Sequence, residues 1–502
     1  MDESKLPHEE QSPEMKRSLG LYDATMLVAG SMIGSGIFIV SSDMSRTIGS
    51  AGWLMVLWIL SGVITVMAAL SYGELAGMMP KAGGQFVYIE RAWGKFVSFL
   101  YGWTVFTVIQ TGVIAAVAVA FAKYSAVFFP ALSPDNVLIE MGPLKIAASQ
   151  LFAIALIVFL TWINTRGIQN GKMIQTIFTS AKLLALLLLI VLGIGIGLQH
   201  STLIDNFKDM WNAQSTTKNS DGAWSVESLS GFALILALGT AMIGSLFSSD
   251  AWNNVTFIAG EIHEPKKNIP RSLILGTGIV TLLYLLANVS YLSLLPLKGT
   301  AHAGDVLGQG IQFAGGITPK GETIDRVGTA AASLIFGNIS VYLMAALIMI
   351  STFGCNNGII LAGGRFYYAM AKDGLFFKQA EKLNSKSVPA NALWVQAVWA
   401  SVLCLSGKYG DLLDYTTFAS LIFYIVTIAG IFALRKREPN AERPYKALGY
   451  PFVPVLYIVL AFSICAILLY TKTFNTGIGL LIVALGAPVY LFTVGRKKII
   501  GN

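Results

Sequence analysis

The sequence predicts an all-α integral membrane protein of 12 transmembrane helices, the first and sixth of them broken in mid-membrane. Three observations carry this expectation. Of 502 residues, 55% are hydrophobic and only 12% charged, against about 25% charged in soluble domains. Apolar stretches long enough to cross ~30 Å of hydrocarbon occur twelve times: approximately 21–46, 53–79, 96–129, 146–164, 170–197, 229–260, 269–297, 338–370, 388–406, 411–434, 451–471 and 474–495. Polar and glycine-rich residues interrupt the first and sixth of these where burial should be deepest.

The first span carries Gly30-Ser31-Met32-Ile33-Gly34-Ser35-Gly36-Ile37-Phe38. Each glycine costs a helix about 1 kcal/mol relative to alanine. Small residues also serve close helix packing. An unwound turn at this depth persists only where it faces protein or a polar cavity. The sixth span repeats the pattern in Gly244-Ser245-Leu246-Phe247-Ser248-Ser249-Asp250-Ala251-Trp252-Asn253-Asn254, and apolar character resumes at Val255. Asn253 or Asn254 is placed to cap the resumed half.

The two breaks lie five spans apart. A five-span unit repeated once must invert its topology, and interruptions at corresponding positions of inverted halves point to a transporter site. The domain expectation is a tail over 1–19, a first repeat over 20–197, an inverted second repeat over 229–434, and two further helices over 451–495. Backbone N–H groups at Ile33, Gly34, Ser35 and Gly36 suit a carboxylate. Carbonyls at Phe247, Ser248 and Ser249 suit an ammonium. Together they suit a zwitterion.

The positive residues fix the orientation. With the N-terminus inside, 24 of the 35 lysines and arginines fall on the cytoplasmic side, 10 on the other, and Lys182 alone within a span. The bias predicts cytoplasmic N- and C-termini in a multi-pass protein of the cell membrane. Met1–Gly20 is polar and mixed in charge, so a cleaved signal peptide is not expected. The net charge of +8 sits in short loops between spans, which speaks for membrane lipid and against nucleic acid. Cys355, Cys404 and Cys465 fall inside apolar segments and imply neither a disulfide framework nor a metal cluster. The four histidines lie outside the spans, and no zinc-protease, nucleophile-elbow or phosphate-loop pattern occurs. No catalytic residue, metal or cofactor is expected, and no nucleotide-driven transport.

Four motifs in order resemble the amino-acid–polyamine–organocation permeases, and most closely their L-type amino-acid transporter branch. They are Gly34-Ser35-Gly36-Ile37-Phe38; Tyr72-Gly73-Glu74-Leu75 followed by Met79-Pro80-Lys81-Ala82-Gly83-Gly84-Gln85-Phe86-Val87-Tyr88; Glu261-Ile262-His263-Glu264-Pro265-Lys266-Lys267-Asn268-Ile269-Pro270-Arg271; and Arg443-Pro444-Tyr445-Lys446. The resemblance implies the LeuT-like 5+5 inverted-repeat fold, alternating access and L-amino-acid substrates. It implies a re-entrant segment after span two, and a gating aromatic at Phe247.

Lys182 lies about ten residues into span five, about 15 Å deep. An unpaired lysine there costs about 2.5–3.5 kcal/mol on insertion scales. The resemblance implies that it supplies a fixed charge where sodium-coupled relatives bind a cation, between Gly30–Ser31 of span one and Ser351-Thr352 of span eight. A static pair with Asp250 is the structural alternative. Asp250 itself has two readings: partner of a cationic substrate group, or N-terminal cap of the resumed half of span six. Glu74 reads as structural, Trp252 as packing, and Asn356-Asn357 as an interhelical seam or a transport element.

Two departures bear on function. Animal light chains of this branch carry a cysteine between spans three and four that links them to a heavy chain. Residues 130–145 contain none, so no disulfide-linked partner is expected. Ser248, Ser249 and Asp250 replace the family's residues at the span-six break. The expectation is sodium-independent exchange of neutral L-amino acids. Proton symport and cationic substrates are the alternatives, with a nutrient sensor a more distant one.

Overall fold

A computed structural model describes residues 17–141, 144–318, 321–405 and 409–495. Most of the expected N-terminal tail, and Lys320, Lys408 and Arg496–Lys498 of the charge tally, lie outside the described residues. Among the described residues, 10 helices are long and apolar enough to cross a membrane, and Ala390–Leu405 is a shorter apolar one. The first span supplies the twelfth crossing in two pieces, Leu21–Met32 and Val40–Ile48, joined by a tight turn at Gly36–Phe38. This is the LeuT-like all-α membrane fold that the sequence predicts.

Span two is Ala51–Met78, span three Lys95–Ser125, span four Ala148–Thr165 and span five Ile168–Gly197. Span six, Gly231–Ser248, stops at the break and resumes for a single turn at Asn254–Phe257. Span seven is Pro265–Leu294, span eight Ser340–Lys372, span nine Ala390–Leu405, span ten Tyr409–Arg437, span eleven Phe452–Thr471 and span twelve Thr473–Tyr490. Span one sits at the centre, packed against spans five, seven and eight. Leu184, Leu187, Leu188 and Val191 of span five stay exposed, as a lipid-facing stripe requires.

The expected re-entrant segment forms the short helix Gln85–Trp93. Gly84, at φ +45°, leads into it, and an added Cβ there would lie 2.6 Å from the backbone carbon of Thr256. The connections after spans three and five carry two small antiparallel hairpins, β1 (Val137–Met141) with β2 (Leu144–Ala147) and β3 (Gln214–Lys218) with β4 (Trp224–Ser228). The long connection before span eight holds the helix Val327–Phe336.

The N-terminal face is tied shut by backbone and by buried charge. Ser18 and Leu19 donate N–H bonds to Glu261 O at 2.8 and 3.0 Å, and His263 N–H returns one to Leu19 O at 2.8 Å. This two-stranded bridge joins the start of span one to the segment after the span-six break. Glu261 also accepts two 3.1 Å bonds from Arg365 of span eight. Arg365, counted with the positive residues of the cytoplasmic side, is 0% exposed inside the bundle. Glu74, at 1% exposure, accepts from Arg435 at 2.9 and 2.6 Å and from Ala447 N–H at 2.7 Å, pinning the loop after span ten to span two.

Candidate functional site

The unwound turn of span one raises an accounting question, because each freed carbonyl needs a donor in a bundle core. The structure answers it carbonyl by carbonyl. Lys182 Nζ donates to Gly30 O at 2.5 Å and Ile33 O at 2.6 Å, and reaches Ser351 O at 3.4 Å. Cys355 Sγ donates to Ser31 O at 3.1 Å. Tyr284 of span seven donates to Met32 O at 3.2 Å. Ser351 Oγ reaches Ile33 O and Gly34 O, both at 3.0 Å. Tyr291 donates to Ile37 O at 3.3 Å. Among the described residues, no acceptor is paired with the N–H groups of Gly34 and Gly36. The turn thus has its acceptors filled and donors to offer.

Lys182 is 1% exposed. Snorkelling to the interface is thereby excluded, and its ammonium is held by carbonyl oxygens alone. No ion pair joins it to Asp250 among the described residues. Thr352, expected beside it, turns its hydroxyl back to Ile348 O at 2.7 Å on its own helix. That i−4 bond is the default for a helical threonine, and it removes Thr352 from the group.

The second break leaves span six at Ser248, whose carbonyl lies 2.9 Å from the same Tyr284 hydroxyl, so that its one proton is shared with Met32 O. One tyrosine therefore bridges both broken spans. Ala251 then takes φ +64°, a left-handed conformation that costs an L-residue about 1–2 kcal/mol. Asp250 does not occupy the N-cap position of the resumed turn, which falls to Asn253. Its carboxylate accepts from Tyr424 of span ten at 2.5 Å and from Ser420 at 3.5 Å. Nor does an asparagine side chain cap the resumed turn: Asn253 Nδ2 donates to Gln85 Oε1 at 2.8 Å instead. Gln85 also takes the Tyr101 hydroxyl at 2.7 Å and donates to Thr427 at 2.9 Å. These side chains form a satisfied buried network behind the break, an arrangement that rigidifies a site.

Gly34, Ser35, Gly36, Phe247, Ser248 and Asp250 surround one cavity of about 20 Å³, closed by Val113 and Val117 of span three and by Cys355. That is room for about one water. Ser249 faces away, into a neighbouring cavity with Thr65 and Trp252. The Ser249 side chain lies outside the cavity of Gly34 and Ser248, whereas the role expected of Ser249 is that of a backbone carbonyl. Ile33 contributes its carbonyl, not its N–H, which remains in the helix on Ala29 O at 3.0 Å. Trp252 packs edge-on to Tyr72, 4.7 Å between centroids. Asn357 joins span eight to Gly171 O at 3.0 Å and to Asn164 at 2.9 Å, as an interhelical seam.

Sequence reasoning missed Tyr284 and Tyr291. Their signal was present: two tyrosines one heptad apart lie on one face of an otherwise apolar helix, and a buried tyrosine hydroxyl seeks a partner.

The two central glycines differ. A Cβ at Gly36 would fall 2.2 Å from Ser248 Oγ and 3.2 Å from Ser248 Cα, whereas one at Gly34 meets only Cys355 Sγ, at 3.5 Å. Gly34→Ala is expected to leave detergent-phase melting within a few degrees of wild type while occupying the space above its N–H and abolishing ligand binding. Gly36→Ala must push the two broken spans apart and is expected to lower both. Native binding by Gly34→Ala would move the site elsewhere.

Above the site, away from the N-terminal face, a vestibule of about 590 Å³ reaches down to Ile39, Val40, Ile243 and Gly244. The seal between it and the site is thin. A Cβ at Gly244 would lie 3.0 Å from Val40 Cβ.

Comparison with known proteins agrees with this architecture. The chain is 30% identical over 489 residues to the serine/threonine exchanger SteT of Bacillus subtilis, covering 96% of this chain and 98% of that one. It is 26% identical over 457 residues to the mouse b(0,+)-type amino acid transporter 1, covering 90% and 82%. It is 28% identical over 493 residues to the human large neutral amino acids transporter small subunit 2, covering 96% and 81%. All three are named as transporters, not enzymes. Residues 19–492 match the family model described as amino acid permease. With that match spanning nearly the whole chain and a SteT relative at 30% identity, this protein belongs to the amino acid permease family.

Proposed function

We propose that this chain exchanges neutral L-amino acids across the cell membrane without sodium, by alternating access between its two repeats, 20–197 and 229–434. One observation carries the reading: the Lys182 ammonium bound to Gly30 O and Ile33 O at 2.5 and 2.6 Å. A covalently fixed cation on these carbonyls leaves no electrostatic need for a bound metal ion. The substrate carboxylate is assigned to the N–H groups of Gly34 and Gly36, and its ammonium to the Phe247 and Ser248 side of the cavity. Relatives named as exchangers and as neutral amino acid transporters support the substrate class and the mode. The lysine and arginine bias supports cytoplasmic termini. The absence of cysteine from residues 130–145, with Cys355, Cys404 and Cys465 all buried, supports transport without a disulfide-linked partner.

The central cavity holds about one water, so loading requires Val40 and Gly244 to part and unloading requires the N-terminal face to open. The test is efflux of labelled amino acid from proteoliposomes against a panel of external amino acids. Neutral L-amino acids are expected to accelerate efflux equally in sodium and potassium buffers. Strict sodium dependence, or efflux indifferent to the external solute, sinks the reading.

A second reading rests on Asp250, which lines the site, accepts from the Tyr424 and Ser420 hydroxyls and has no ion-pair partner within 4.0 Å among the described residues. It favours lysine or arginine as substrates. In the same panel Asp250→Asn then loses cationic substrates selectively; equal loss for all assigns Asp250 to holding the break in shape.

A further inference from the structure

A cavity of about 320 Å³ opens on the N-terminal face, within the size range of small-molecule sites. Ser18, Glu261, Arg166 and Lys386 line it, together with residues 167–170, where span five begins. The acid is already committed: its two carboxylate oxygens each sit 3.1 Å from the Arg365 guanidinium. The two cations are not. Among the described residues neither Arg166 nor Lys386 has a carboxylate within 4.0 Å.

Both cations are nonetheless positioned. The Arg166 guanidinium lies over the Trp162 ring, 4.6 Å from its centroid. Asn384 donates to Thr165 O at 2.8 Å and accepts the Lys386 N–H at 2.9 Å, which clamps the connection after span eight against the end of span four. Span five starts after Gly167, at φ +129°, without a side-chain cap. Its first turn therefore offers amide N–H groups and the positive end of a 30-residue helix dipole. The Ser18 hydroxyl, buried and without a partner among the described residues, adds a further donor.

Donors and positive charge that converge from three chain segments suit an anion, and a guanidinium beside an ammonium suits phosphate oxygens. Trp162, 45% exposed and one turn before Arg166, marks the level of the lipid headgroups, where tryptophan concentrates. We infer that this cavity binds a phosphoryl anion, carried by an anionic lipid headgroup or free in solution, between Arg166, Lys386 and the first turn of span five. The site is separate from amino acid exchange and does not depend on it. Ser18 also gives its N–H to Glu261 O, so an anion bound here ties span five to the seal and stabilises the closed N-terminal face.

The experiment follows thermal melting of the full chain in detergent against dioctanoyl phosphatidylglycerol, dioctanoyl phosphatidylcholine and inorganic phosphate. A saturable rise in melting temperature is expected with an anion and not with phosphatidylcholine. A rise with phosphatidylglycerol alone assigns the site to lipid; a rise with inorganic phosphate assigns it to a soluble anion. Arg166→Gln and Lys386→Gln should each weaken the apparent affinity about fivefold, the worth of one solvent-exposed ion pair, whereas Lys382→Gln, which removes a charge from the same connection outside the cavity, should leave it within about twofold of wild type. No rise with either anion, an equal rise with phosphatidylcholine, an affinity unmoved in both cavity variants, or an equal loss in Lys382→Gln overturns the site.

Discussion

Lys182→Ala is expected to abolish amino acid exchange while leaving the protein in the membrane. The ammonium makes short bonds to Gly30 O and Ile33 O and lies 3.4 Å from Ser351 O. Removing it strands at least Gly30 O in a dry core, since Ile33 O keeps Ser351 Oγ at 3.0 Å. A buried polar group left unpaired costs about 1–3 kcal/mol. The lost charge-assisted bond to Ile33 O adds about 1.5 kcal/mol or more. The sum is of order 3 kcal/mol on the conformation that presents Gly34 and Gly36, or roughly a hundredfold in rate. Counterflow in proteoliposomes, normalised to the amount of reconstituted protein, measures it. Wild-type counterflow in this variant would show the lysine to be a bystander. Lys182→Met, which keeps the stem, should fail equally, because the defect is electrostatic.

The second large effect belongs to the N-terminal seal. Arg365→Leu leaves the Glu261 carboxylate at 2% exposure without its two guanidinium bonds. Breaking a buried pair from one side costs about 3–5 kcal/mol. A marked fall in melting temperature in detergent is expected, together with leak between compartments. Replacing both residues with leucine should recover most of the stability, because no charge is then stranded. Near-native melting of the single variant would contradict the burial described here.

The features legible in the sequence are those that hydrocarbon makes expensive. Twelve crossings, two breaks and a lysine at mid-depth all follow from what a bilayer does not tolerate. Gly30, Gly34, Gly36 and Lys182 stand where that logic places them. The misreadings share one cause, the choice among local partners. Thr352 is the right residue type at the right depth, but a helical hydroxyl bonds its own i−4 carbonyl. Asn253 satisfies the rule for a cap, yet Gln85, 168 positions away, offers its amide a better acceptor. Asp250 finds Tyr424, 174 positions distant. No local pattern encodes such separations. Arg365 is buried for a similar reason: a charge near a span's end reads as solvated until its partner, Glu261, is brought against it.

The bridge between Ser18–Leu19 and Glu261–His263 sets where the molecule rests. Three backbone bonds, at about 0.5–1.5 kcal/mol each, amount to roughly 1.5–4.5 kcal/mol in favour of the sealed N-terminal face. In populations that is a bias of between about tenfold and a thousandfold. Under the alternating access proposed above, a resting ensemble tilted this way keeps its vestibule open, and a bound solute must supply the difference before the N-terminal face can open. Because the bridge is made by the residues immediately preceding the first helix, any tension on the chain ahead of Ser18 acts directly on that equilibrium. The chain entering the first span is therefore mechanically in series with the opening of the N-terminal face.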